Sequence, residues 1–209
     1  MVDERWISVV ATGEASVAPD LAVVSLAVSG SGKELTPTRD DVNRRSTSVL
    51  ARLRELGLAD ADLNAPDVGI HPEYDFRKGQ RLIGYRVTRQ MTVKVRDLDR
   101  LGEVLDGLVA AGANEVHGAQ MSASDPSAAE HEALRSAVTA ARTKALAIAE
   151  AGGVVLGDLA RVEEEPAHGG PVPRARMLAA AGGIADAPTE VAAGDLTVTR
   201  QVRAWFSIA

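Results

Sequence analysis

The chain has 209 residues, no cysteine, six aromatic side chains, and 23 basic against 29 acidic residues, a formal net charge of -6. The missing cysteines exclude a disulfide framework, a thiolate nucleophile and a Cys-based zinc site. The acidic balance and the scarcity of stacking rings argue against nucleic acid as a partner, and no apolar run approaches the ~18 residues of a membrane-spanning helix.

Trp6 to Ala11 and Ala15 to Ala18 read as two strand pieces, with Gly13 marking a bend or bulge and Pro19 a break. Leu21 to Ser29 suits a strand in length and Val/Leu content, closing on Gly30-Ser31-Gly32. Val42, Val49, Leu50, Leu53 and Leu56 then recur at helical spacing, with Arg44, Arg45, Arg52 and Arg54 largely on the other side. Thr36 or Thr38 is the expected cap, Pro37 fits the first turn, and Gly57 ends the helix.

Asp67 to Tyr74 is an interrupted strand, followed by a loop over Phe76–Gln80. The returning strand alternates: Ile83, Tyr85, Val87, Met91, Val93 and Val95 share one face, and Arg86, Thr88, Gln90, Thr92, Lys94 and Arg96 the other. Such alternation predicts an antiparallel sheet packed on one side and solvated on the other. Asp97 opens a second helix with an apolar stripe of Leu98, Leu101, Leu105 and Leu108, ended by Gly112.

Val116 to Ala123 is a further strand. Asp125-Pro126 is a cap followed by proline at the first helical position. The third helix runs to about Ala151, stops at Gly152-Gly153, and at 1.5 Å per residue is about 39 Å long. Ala133, Ala137, Ala141 and Ala145 repeat along it four residues apart, a stripe small enough for close packing on a sheet or another helix. Val154 to Val162 is a strand. Pro166 to Gly194 is rich in Pro, Gly and Ala without a period, a loop whose length makes it functional or mobile. Leu196 to Ile208 alternates as the closing strand. The order ββ-α-ββ-α-β-α-ββ predicts an α+β fold, a largely antiparallel sheet with helices on one side.

Templates for chemistry fail on named residues. Gly30-Ser31-Gly32-Lys33 lacks the phosphate-loop pattern, having Ala27 and Glu34 at two required places. His131-Glu132 begins like a zincin helix, but Arg135 stands where the second His belongs. His71, His117 and His168 lie in different segments, and no G-x-S-x-G elbow exists. Asp40/Asp41 and Glu163–Glu165 are neighbours in sequence, expected to be solvated rather than to flank a cleft. The expectation is a non-enzymatic protein with no cofactor and no metal.

The ordered set of segments resembles the SIMPL-domain family. The resemblance is carried by Ile7 to Glu14 with Val17-Ala18-Pro19-Asp20, by Gly84-Tyr85, and by Asp97-Leu98. It continues through Gly112-Ala113 and Lys144-Ala145 with Gly152-Gly153, and ends at Ala193-Gly194-Asp195-Leu196-Thr197-Val198. Ala193 stands where that family usually has proline. The resemblance implies one α+β domain over residues 1–209 without a recognised active site. It also implies envelope or stress-related roles: bacterial members are mostly exported, one assembles into a large ring-like oligomer, and a mammalian member binds a receptor-associated kinase. The expected function is therefore an oligomeric scaffold or protein-binding module, a homo-oligomer with a protein partner of unknown identity.

Tyr74, Phe76, Arg86, Lys94, Arg96 and Trp205 are the candidate contact residues. The alternative is a small-molecule binder or hydrolase whose site assembles from scattered residues, Tyr74, Phe76, Tyr85 and Trp205 joining His71. Met1 to Arg5 lacks the basic and apolar regions of a signal peptide, which points to the cytoplasm. Removal of a signal before Met1 would make the periplasm the expected compartment.

Overall fold

The computed structural model describes residues 5–66, 68–77, 79–166, 172–173 and 194–209. The elements run β1 (Trp6–Val17), β2 (Leu21–Gly32), α1 (Leu35–Glu55), β3 (Leu63–Asn64), β4 (Val68–Asp75), β5 (Arg81–Val95), α2 (Leu101–Ala110), β6 (Glu115–Ser122), α3 (Ser127–Gly152), β7 (Leu156–Glu165), β8 (Val172–Pro173) and β9 (Leu196–Ile208). This is the expected α+β order with two-residue strands β3 and β8 added. The strands form two antiparallel sheets, and the chain divides into two compact units, each with one sheet. Among the described residues one unit holds 5–19, 123–166, 172–173 and 194–209, and the other holds the stretch between Asp20 and Ser122. The expected loop over Pro166–Gly194 falls almost wholly outside the described residues, as do Asp67, Lys78 and His168.

In the first unit the strand order is β1-β9-β7, with β8 also on β9. β1 is a single strand rather than two pieces: its register on β9 runs unbroken from Trp6 opposite Ser207 to Val17 opposite Leu196. Gly13 is therefore no bulge. A β-carbon there would lie 2.2 Å from the Ala133 carbonyl oxygen, so its absence is what lets α3 approach β1. The α3 stripe is the complementary surface: Ala129, Ala133, Ala137, Ala141, Ala145 and Ala149 are all buried, packed with Ile7, Val9, Val198, Val202 and Phe206. The Asp125 carboxylate accepts the Ser127 N–H at 3.0 Å. The Ser127 hydroxyl first, and this N–H second, hold the Asp125 carboxyl below its usual range; Pro126, expected as the first helical residue, instead precedes α3 as its N-cap. β7 starts two residues later than expected and continues through the glutamate run.

In the second unit the order is β3-β5-β2-β6, with β4 on the outer side of β5. Ala22, Val24, Leu26 and Val28 of β2 and Val87, Met91, Val93 and Val95 of β5 form the buried face. Helix α1 covers it through Val42, Val49 and Leu53, and α2 joins the same core through Leu101, Val104 and Leu108. The two expected caps of α1 are not used. The helix starts at Leu35 after an extended Glu34 that makes no side-chain cap bond. Thr38 instead donates its hydroxyl to the Glu34 carbonyl at 2.7 Å, its side chain filling the space that a β-carbon on Gly32 would need. Asp97 likewise makes no cap bond; a 3-10 turn over Leu98–Arg100 precedes α2. Gly57 and Gly112 end their helices at φ +85° and +112°, the left-handed region that favours glycine.

Candidate functional site

The apolar alternation of β5 is buried only as far as the sheet and α1 reach. The last β2 partner of β5 is Gly32, opposite Tyr85; beyond it β5 pairs with β4 alone. Ile83, which the sequence period places toward the core, falls at a register shift where Glu73 faces Gly84 and Tyr74 faces Leu82, and it is 51% exposed. Val68, Ile70, Tyr74, Phe76 and Leu82 are exposed as well, Phe76 at 72%. The Tyr74 and Phe76 rings meet at 6.3 Å between centroids, tilted by 47°. The Asp75 carboxylate shapes the tip by accepting the Arg77 N–H at 2.9 Å. Six large apolar side chains are thus exposed along one β-hairpin, exposure of the kind that marks a contact surface, and the two predicted aromatic residues sit at its end.

The predicted basic residues are not a free cationic row. Arg86 donates to the Glu73 carboxylate at 3.0 Å across the hairpin. Arg96 grips Asp62 with two bonds, at 3.0 and 2.8 Å, which holds the Asp62 carboxyl below its usual range. Lys94 is exposed on the same strand and adds a weaker attraction to Asp62. The glutamate run is also paired: Glu163 with Arg161, Glu164 with Arg200, and Glu165 with Arg203. The pairing of Arg86 and Arg96 leaves their charges less free to steer an acidic partner.

Of the scattered aromatic set, Tyr74 and Phe76 touch. His71 lines a depression of about 390 Å³ with Pro66, Gly69, Thr88 and Gln90, and with none of the rings. Trp205 belongs to the other unit, where it lines a depression of about 320 Å³ with Trp6, Ala160 and Arg161. The Arg161 guanidinium carbon stands 4.9 Å from the Trp205 ring centroid.

A polar cluster at the end of β2 carries no sequence signal, because its members are far apart in the chain. Ser29 is buried; its N–H donates to Asn114 Oδ1 at 2.8 Å and its hydroxyl to Glu115. The Ser29 carbonyl accepts from Arg45 at 2.8 Å and from Asn114 at 3.1 Å. Arg45 is fixed in turn by Asp41 at 2.9 Å. With every central group satisfied, the cluster ties β2 to α1 and to the start of β6.

Comparison with known proteins agrees with the resemblance read from the segments. The family model described as SIMPL, protein of unknown function (DUF541), matches residues 7–206. The 26 kDa periplasmic immunogenic protein of Brucella melitensis is 32% identical, with 97% of this chain and 84% of the relative aligned. The uncharacterized protein YggE of Edwardsiella ictaluri is 32% identical over 83% of this chain and 74% of its own length. YggE of Escherichia coli is 28% identical over 82% of this chain and 71% of its own length.

Proposed function

The chain belongs to the SIMPL family, and on that premise we propose that it works without catalysis, as a self-associating module whose β4–β5 hairpin docks on a second copy of the chain. The exposed apolar side chains of the hairpin carry this reading. Val68, Ile70, Tyr74, Phe76, Leu82 and Ile83 present more apolar surface than a hairpin needs for its own packing. Aromatic anchors of this kind supply most of the energy in protein contacts. The charges partway along the hairpin, Glu73 and Arg86, satisfy each other, so the exposed apolar side chains select by shape and apolarity. A two-fold contact would set each Tyr74–Phe76 pair against its equivalent. Pro72 removes one donor from the β4 edge, so apolar contact rather than strand addition holds the pair.

Light scattering coupled to size exclusion tests the reading. A mass that is a multiple of 21.8 kDa at micromolar concentration is expected, reduced by Phe76→Asp with an unchanged melting temperature. A strict monomer across that range overturns it. A periplasmic location is part of the proposal, supported by the name of the Brucella relative; fractionation of the native host with antibody detection tests it, and a wholly cytoplasmic signal overturns it.

A further inference from the structure

We propose that the outer face of the β1-β9-β7 sheet carries a binding site for an uncharged saccharide ring, formed by Trp6, Trp205 and Arg161. The β1–β9 register places Trp6 opposite Ser207 and Ser8 opposite Trp205. Both tryptophans therefore lie on one face, and Ile7, Val9, Ala204 and Phe206 are buried on the other. Arg161 is opposite Trp205 on β7 and shares its face. These are the chain's only two tryptophans. An indole on a strand is often no more than a good fit to a pleated surface, but that reading predicts no concavity. Here Trp6, Ala160, Arg161 and Trp205 line a depression of about 320 Å³, at the small end of ligand sites. Trp6 remains 42% exposed beside it.

The chemistry of the lining selects the ligand. The Trp6 indole offers a flat apolar face, the Trp205 indole adds apolar ring edge beside the guanidinium that covers it, and the small Ala160 side chain leaves room between elements of the rim. The Arg161 guanidinium lies over Trp205 and is paired with Glu163, so its charge is already balanced while its remaining N–H groups stay available as donors. A balanced site with an apolar face and donors at the rim suits a ring with C–H faces, a hydroxyl edge and no net charge. A pyranose has that construction; an anion would have to compete with Glu163 for the guanidinium.

Because both tryptophans lie in the site, intrinsic emission of the full chain reports on it directly. The probes are maltotriose, cellotriose and triacetylchitotriose, with a trisaccharide of glucuronate as the anionic comparison. A saturable emission change with at least one uncharged probe is expected. Saturation-transfer NMR should show the same sugar's ring protons in contact. Trp6→Ala and Trp205→Ala should each weaken binding roughly three- to tenfold, the loss of one ring contact, with the far-UV spectrum unchanged. No saturable response to any uncharged probe, a response to the glucuronate probe alone, or undiminished NMR contact in both variants overturns the proposal.

Discussion

Gly13 in β1 sits against the backbone of Ala137 in α3: a β-carbon built on Gly13 would lie 2.2 Å from the Ala137 amide nitrogen. The obstruction is main chain on both sides, so no rotamer change relieves it. Gly13→Ala must push α3 away from β1 and open the seam that the alanine stripe closes. A loss of about 1–3 kcal/mol or more is expected, the cost of overpacking a dense interior. Gly194→Ala, with nothing within 4 Å of the added carbon, should change stability by less than about 0.5 kcal/mol. Urea unfolding of the two variants checks both; equal midpoints would show that α3 does not pack as closely as described.

Ser46 is the polar member of the buried α1 stripe, fully enclosed with Val42, Val49 and Leu53. Its hydroxyl has no hydrogen-bond partner. A buried hydroxyl that lost its water without gaining a partner costs stability, and alanine is also the better helix former. Ser46→Ala should therefore stabilise the chain by about 1 kcal/mol, read as a higher urea midpoint at an unchanged slope. A drop in the midpoint would mean that the hydroxyl is satisfied in solution.

What the sequence made legible follows from the range of the forces involved. The α3 alanine stripe, the β5 alternation from Val87 to Val95 and the helix-ending glycines are local patterns, and all three stand in the fold. Gly13 looked like a bend because sequence shows its neighbours in the chain and not Ala133 and Ala137, more than a hundred residues away. The caps at Thr36, Thr38 and Asp97 failed because capping depends on where the hydroxyl or carboxylate points, and Thr38 faces inward beneath Gly32. Tyr74 and Phe76 were recognisable as loop-flanking aromatics, whereas the placing of Trp6, Trp205 and Arg161 around one depression needed the β1–β9 and β7–β9 registers. The pairing of Arg86 and Arg96 with Glu73 and Asp62 is tertiary in the same sense.

Asn114 satisfies a buried group that nothing else reaches. It accepts the Ser29 N–H at 2.8 Å and returns bonds from its own amide to the Ser29 carbonyl and hydroxyl at 3.1 and 3.2 Å. Asn114→Ala leaves the Ser29 N–H orphaned at the end of β2, while Arg45 still serves the carbonyl. The expected loss is about 1–3 kcal/mol, the price of one unsatisfied buried donor. Amide exchange at Ser29 should quicken more than exchange at Val24, in the centre of the same strand. Equal effects at the two sites would place the damage elsewhere.

The Asp62–Arg96 pair gives the chain a defined acid response. The two hydrogen bonds from Arg96 hold the folded Asp62 carboxyl below its usual range, and in the unfolded chain the carboxyl titrates normally. At pH values between the two, the unfolded state binds a proton that the folded state does not, so stability rises with pH there. The pair's contribution is complete above the ordinary carboxylate range and is lost as pH falls through the folded value. Asp62→Asn should therefore lower the urea midpoint at neutral pH, and the gap to the parent chain should close as the pH drops below the carboxylate range. Arg96 is well exposed, so added salt should narrow the neutral-pH gap by screening. A gap that is constant with pH would mean the two side chains do not pair in solution.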